Sequence, residues 1–346
     1  TFRRSSGDME KYLNELSPEQ ADELFRQAVN SVSCVRAVYD ADALLFSFVL
    51  AIEAKRQTVI SFGEGEGCEL ILTKNREGRK LTLNKQDYFL GKSAFSSLVR
   101  PDERTHLAAL LGINAASLFD RRQFTHLEEA RLNSVASTWG AIVEEGPKLP
   151  NYKNLPLFTS LTFSFDPYLP GISGNRPGAE AVLKELKIDL TASLENLTEG
   201  QKNSLFYRLV LTAQKHNPNF SNLDLFGKRV FVRDVDLLEL TFASMYVLDV
   251  SGSGYLYQLV EDGSFAEVII SVFREEMAKG FKIEEVTERS DAIVVKTNLR
   301  SPLLVRQILA QAGKAKADKT VAVSLEGVTY TSRAFVSSPS EGLIKI

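Results

Sequence analysis

Histidine, cysteine, methionine and tryptophan are all scarce: three, two, three and one among 346 residues. The three histidines, His106, His126 and His216, are scattered through polar or helical contexts, so they form no metal-binding or catalytic pattern. Two cysteines are too few for a disulfide framework. Cys34 and Cys68 both sit in strand-like apolar runs, where a free thiol behaves as a small hydrophobe, and the expectation is two unpaired thiols in a reducing cytoplasm. No apolar run is long enough to cross a bilayer. The longest, "ALLFSFVLAI", is followed by "EAKR" and reads as a buried helix, and no secretory signal is expected. Positive charge is not in excess either: 41 Lys and Arg against 44 Asp and Glu give a net charge of -3. A chain that coats nucleic acid by bulk electrostatics is thereby excluded, and any DNA contact must be local.

What remains is the composition of a globular protein, 44% hydrophobic and 25% charged, in a chain long enough for two or more cores. Residues 1 to 8, before Met9, are left out of the fold reading. In "SPEQADELFRQAV", Ser17 precedes Pro18 and Gln20 follows three residues on, the pattern of a capped helix start. Val35 to Val38, Ala43 to Lys55 and Thr58 to Phe62 then read as strand, helix and strand, which implies a parallel pair. "CELIL" and "RKLTLN" read as two further strands around the turn "NREG", and helical patterns fill most of 91 to 134. Five prolines and three glycines make 148 to 178 irregular, and 179 to 250 is mostly helical by pattern. From 280 onward "AIVVKT", "SPLLVRQILAQA", "TVAVSL" and "VTYTS" read as a small α/β unit, with Ser301 capping its helix and a turn at Glu326 and Gly327. No internal repeat or low-complexity tract is visible.

Asp40 and Asp42 fall where the first strand ends and its helix begins, the edge at which α/β proteins place ligands. Two neighbouring carboxylates repel unless a cation neutralises them, so one reading is half of a divalent metal site. The other has Asp42 as a helix cap and Asp40 as a loop residue. Two apparent phosphate loops fail on inspection. "GEGEG", Gly63 to Gly67, carries Glu64 and Glu66, which would repel an anion, and "GKSAFSS" at Gly91 lacks the preceding glycine at the required spacing.

"VYDADALLFSFVL" resembles the first motif of the DHH phosphoesterases, in which Asp-x-Asp binds manganese. "LTFSFDPYLPGISGNRPGAEAVLKELKI", at 161 to 188, closely resembles the Asp-Pro-Tyr-Ile-Pro-Gly segment of the archaeal RecJ-like proteins. "YTSR", Tyr330 to Arg333, resembles the Ser-x-Arg element of that family's C-terminal DHHA1 domain. The other family motifs are absent. Thr73 or Lys74 stands where the third strand ends in aspartate, and Asn84, Lys85 and Gln86 stand where the fourth ends in Asp-His-His. Ala116 or Ser117 takes the place of a later aspartate, with Asp120 the nearest carboxylate, and no Gly-Gly-His element follows Arg333.

The resemblance implies an α/β fold in three parts: a parallel-sheet DHH-like domain over 9–190, a helical connector over 191–275 and a small α/β domain over 276–346, resembling a truncated DHHA1 domain. It places the chain in the Cdc45-like branch, whose members have lost metal ligands. The expected role is a noncatalytic DNA-replication subunit that joins the GINS complex to the MCM helicase, in the archaeal cytoplasm at the nucleoid, without cofactor or membrane. Asp40 and Asp42 are then a vestigial pair, with Lys85 as the expected replacement cation. Single-stranded DNA is a further expected partner through Lys314, Lys316, Lys319 and Arg333. Phe163, Phe165 and Tyr168 are read as core residues rather than base-stacking ones. The alternatives are a manganese- or magnesium-dependent nuclease or nucleotide phosphoesterase using Asp40, Asp42 and Asp120, and a plain single-strand-binding module.

Overall fold

A computed structural model describes residues 16–63, 67–316 and 318–346, so "GEGEG" lies partly outside the described residues. The chain forms two compact units. One runs to Ala141 and takes in Ser253–Phe265; the other comprises Ile142–Gly252 and Ala266–Ile346. The boundaries expected at 190/191 and 275/276 fall inside the second unit. One hydrophobic core there includes Leu149, Leu183, Ile188, Leu194, Leu205 and Phe231, so burial continues across residue 190.

The first unit begins with helix α1 (Pro18–Ser31), whose capping box pairs Ser17 with Gln20 and whose inner face buries Ala21, Leu24, Phe25 and Ala28. Strand β1 (Cys34–Ala37) leads into helix α2 (Ala41–Glu53), which is buried on all sides from Ala41 to Leu50. Strands β2 (Val59–Phe62), β3 (Leu70–Lys74), β4 (Arg79–Leu83) and β5 (Gln86–Gly91) complete a sheet of order β2-β1-β3-β4-β5. β1 runs parallel to β2 and β3, while β4 and β5 are antiparallel additions. β5 lies in a stretch to which the sequence reading assigns no element, between "RKLTLN" and the helical patterns from 91 onward. It is joined to β4 by a two-residue turn in which Asn84 and Lys85 both adopt left-handed backbone angles, φ 49° and 71°. Beyond a 3-10 turn at Phe95–Leu98 come helices α3 (His106–Phe119) and α4 (His126–Trp139). The returning helix Gly254–Glu261 brings Tyr257 edge-on to Phe48 of α2.

Cys34 and Cys68 are joined by a disulfide, which corrects the expectation of free thiols. β1 and β3 are hydrogen-bonded neighbours with Val35 opposite Leu70, so the residues just before that pair lie at one end of the sheet with Cα atoms 4.7 Å apart. The cysteines therefore no longer argue for a reducing compartment.

The second unit holds a three-stranded antiparallel sheet of β6 (Ile142–Pro147), β7 (Phe226–Val232) and β8 (Val235–Asp236). Around it lie α5 (Leu157–Thr162), α6 (Arg176–Glu185), α7 (Glu199–Gln214), α8 (Leu237–Ser251) and α9 (Ala266–Ala278). β7 interrupts a region that reads as helical, because Phe226 to Val232 gain partners in the distant β6. The C-terminal sheet has the order β13-β12-β11-β10-β9. Here β9 (Ile283–Glu288) is an edge strand, and α10 (Pro302–Gln311) crosses between the parallel strands β10 (Ala292–Thr297) and β11 (Thr320–Leu325). A turn at Glu326 and Gly327 opens β12 (Val328–Ser332), and β13 (Leu343–Lys345) closes the sheet. Ser301 caps α10 by accepting from Leu304 N, as its sequence indicates. Phe163 and Phe165 are core residues; Phe165 stacks on Phe281 and meets Phe242 and Phe273.

Candidate functional site

The strand-end carboxylates are built as follows. β1 ends before Asp40, whose side chain caps α2 by accepting from Ala43 N at 2.8 Å. Asp42, in the first turn of α2, is fully enclosed, and its carboxylate accepts the backbone N–H groups of Phe95 (3.0 Å) and Ser96 (2.9 Å). The capping reading has Asp42 as the cap and Asp40 in the loop; the cap is Asp40, and Asp42 lies within the first turn of the helix. Asp120, just past α3, joins them through shared cations.

Those cations are Arg79 and Lys74. Arg79 Nε donates to Asp42 Oδ2 at 3.0 Å, and its Nη1 donates to Asp120 Oδ2 at 2.8 Å and to the Lys92 carbonyl at 3.1 Å. Lys74 Nζ lies 2.8 Å from Asp120 and 3.8 Å from Asp40. Arg122 stands 3.7 Å from Asp120 through Nε, but its other two nitrogens clasp Glu128 at 2.7 and 2.8 Å. Burial pushes the Asp120 carboxyl up, yet Lys74 and Arg79 outweigh it and hold it below the usual carboxylate range. Burial likewise works against the Arg79 charge, and Asp42, Asp120 and Asp40 together overcome it and raise the guanidinium above its ordinary value.

Lys85 is not the replacement cation. β4 runs antiparallel to β3, so its C-terminal end points away from the edge where β1 and β3 finish, and Lys85 is exposed at the hairpin turn. The same reversal sets Arg79, at the start of β4, opposite Lys74, at the end of β3. Asn84 and Gln86 share the position of Lys85, far along β4 from the carboxylates. A parity signal did exist: Arg79 alternates with Leu81 and Leu83 on the buried face, and an arginine at an inward position requires a carboxylate.

These residues do not fit the metal pair that the fold family implies. Two divalent ions need several anionic or imidazole ligands to offset their repulsion. Here three carboxylates are engaged by two cations and by backbone N–H groups. Among the described residues no group of three or more His, Cys, Asp or Glu is placed to hold a metal ion.

The other candidate residues are dispersed. Lys316 and Lys319 converge on Glu288 at 2.5 and 2.6 Å, and their hydrogen bonds hold its carboxyl down at about 2. Lys314 is exposed, whereas Arg333 is largely covered and faces Glu341 at 3.5 Å. His106 stacks on Trp139, and His216 bonds the Ile308 carbonyl and meets Tyr168 edge-on. Reading the sequence missed two buried ionic features of the second unit. Arg229 clasps Asp236 with two 2.8 Å bonds beside the Glu239–Arg274 pair, and Asp249 is fully buried against Ser301 and Leu303 N.

A parallel strand followed by a helix that an aspartate caps, with a small C-terminal mixed sheet, is the α/β arrangement of the RecJ-like DHH fold. The fold is shared with the crystal structure of CDC45 from Entamoeba histolytica, at a TM-score of 0.53 and 9% identity, over 93% of this chain and 90% of that one. The chain belongs to the archaeal Cdc45 family, whose profile matches residues 9–346, and is a Cdc45-like protein related to DNA replication. No curated protein matches it. Among the described residues no helix is long and apolar enough to cross a membrane.

Proposed function

We propose that this chain is a noncatalytic replisome subunit that bridges the GINS complex and the MCM helicase at the archaeal nucleoid. The observation that carries the reading is the engagement of Asp40, Asp42 and Asp120 by Lys74 and Arg79. Metal-assisted phosphodiester hydrolysis needs a cation with open positions to activate water and to meet the charge that develops on phosphate. A guanidinium and an ammonium already bonded to carboxylates offer no such position. What the fold then contributes to replication is surface. Single-stranded DNA is a secondary partner in this reading, because Lys316, Lys319 and Arg333 are each shared with a glutamate.

The test is co-purification of the full chain with purified GINS and with MCM. A ternary assembly that needs this chain supports the reading, and failure to associate with either partner contradicts it. A cleavage assay on labelled single-stranded DNA addresses the nuclease alternative: manganese-dependent cleavage by the wild type that disappears in Asp40→Asn would replace this proposal. Strongly salt-dependent DNA affinity without association with GINS would favour a plain binding module.

A further inference from the structure

Helix α7 is buried along Leu205, Leu209, Thr212 and Ala213. At about 100° per residue, its opposite face carries Gly200, Asn203, Ser204, Tyr207 and Leu211, all exposed and none charged. Tyr207 is 68% exposed and Leu211 41%. The chain then turns back along the flank of α7 that holds Phe206 and Gln214. Gln214 Nε2 donates to the Phe220 carbonyl at 2.9 Å, and Phe226 meets Phe206 edge-on. In that return the short helix Asn222–Leu225 buries Leu225 and leaves Leu223 87% exposed, the highest value of any large hydrophobic side chain among the described residues. A solvated helix face normally carries charge, whereas uncharged tyrosine and leucine surface is the composition of the centre of a protein contact. The other flank of the face is basic. Arg208 is shared with Glu185 at 3.1 Å, Gln201 Nε2 donates to the Lys187 carbonyl, and Lys184, Lys187 and Lys215 are exposed.

We infer that this face of α7 is a docking surface for an amphipathic helix of a partner protein, whose apolar stripe covers Tyr207, Leu211 and Leu223 and whose acidic edge meets Lys187, Arg208 and Lys215. A helix is the occupant because the surface is itself a helix. Its backbone groups are paired internally and give an incoming strand nothing to bond, whereas the ridge Asn203–Tyr207–Leu211, at a spacing of four, fits the groove of a second helix. Charge selects an acidic partner over a second copy of this chain, since a second copy brings the same uncharged face and the same basic edge. The inference deepens the scaffold reading, in which the fold contributes surface to an assembly, and rests on it.

The experiment titrates the full chain into a fluorescein-labelled synthetic helix and follows anisotropy. The probe is an alanine-based peptide with leucines at spacings of three and four and glutamates along one edge, and a second peptide carries lysine in place of each glutamate. The acidic peptide should saturate and the lysine peptide should bind at least about tenfold more weakly. Tyr207→Ser with Leu223→Ser should weaken the acidic peptide at least about tenfold without lowering the melting temperature, because both side chains face solvent. Lys187→Glu with Lys215→Glu should narrow or reverse the preference between the two peptides. No saturable binding of the acidic peptide, equal affinity for both peptides, or binding indifferent to Tyr207→Ser with Leu223→Ser overturns the proposal. Concentration-dependent dimerisation in sedimentation that the same two substitutions abolish also overturns it, and gives the face to a second copy. The scaffold reading is scored separately: a chain that assembles with GINS and MCM yet ignores the acidic peptide loses this surface and keeps the scaffold. A chain that takes the peptide on this face yet joins neither complex keeps the surface and loses the replisome.

Discussion

Asp249 offers a pH experiment whose sign and size follow from the structure. The carboxyl is fully buried on α8, and Asp249 Oδ2 accepts from the Ser301 hydroxyl at 2.6 Å and from Leu303 N at 2.9 Å. Burial is the largest influence and pushes its pKa up to about 7; the bonds from Ser301, Ser332 and Leu303 favour the anion but do not offset it. The unfolded chain releases the same proton near 3.8. Between those two values the folded state holds a proton that the unfolded state has lost, so this group's contribution to stability falls as pH rises from about 4 to about 7 and is flat beyond. A separation of about three pKa units corresponds to about 4 kcal/mol. Spread over the unfolding entropy of a chain this long, that is roughly 6 °C in Tm. Asp249→Asn removes the titration while its carbonyl can still accept from Ser301 and Leu303. The assay is thermal unfolding of wild type and Asp249→Asn from pH 4.5 to 8.5, because other carboxylates act alike on both chains and cancel in the difference. The variant should gain on the wild type with rising pH across that window. Parallel curves, or a wild type that gains on the variant, would refute the reasoning.

Arg229→Met leaves the Asp236 carboxylate buried without its bidentate partner, and chemical denaturation should show a loss of about 3 to 5 kcal/mol. Lys74→Ala should cost about 1 to 2 kcal/mol by the same measurement, because Asp120 loses its 2.8 Å partner, whereas Lys85→Ala at the exposed turn should stay within about 0.5 kcal/mol. Equal costs for the two lysines would mean that the cation is misassigned. Gly78→Ala should destabilise by about 2 kcal/mol or more, since the residue sits at φ 143° and an added Cβ would run into the Gly91 carbonyl. A neutral outcome in a melting experiment would contradict the close approach of β4 and β5.

The elements that were legible in the sequence are those fixed by local chemistry. The Ser17 capping box, the strand–helix–strand run from β1 to β2 and the Ser301 cap with its following helix all follow from spacings within a few residues. The elements that escaped depend on distant partners. β7 needs β6, some 80 residues away, and the antiparallel course of β4 decides which of its ends meets Asp40. That one reversal explains why Lys85 was expected at the carboxylates and why Arg79 is found there. The disulfide is a related case: neither cysteine carries a local signal, and the pair follows from the adjacency of β1 and β3. Asp120, by contrast, joined the cluster as the nearest carboxylate to a missing ligand, and its place at the end of α3 delivers it to Lys74 and Arg79.

Manganese titration of the wild-type chain, followed by the free-ion signal in electron paramagnetic resonance, tests the central claim most directly. With Asp40, Asp42 and Asp120 held by Lys74 and Arg79, the free signal should track added manganese one for one, as it does in buffer. Disappearance of the first one or two equivalents, restored by Asp42→Asn, would show that these carboxylates still serve a metal and would contradict the account.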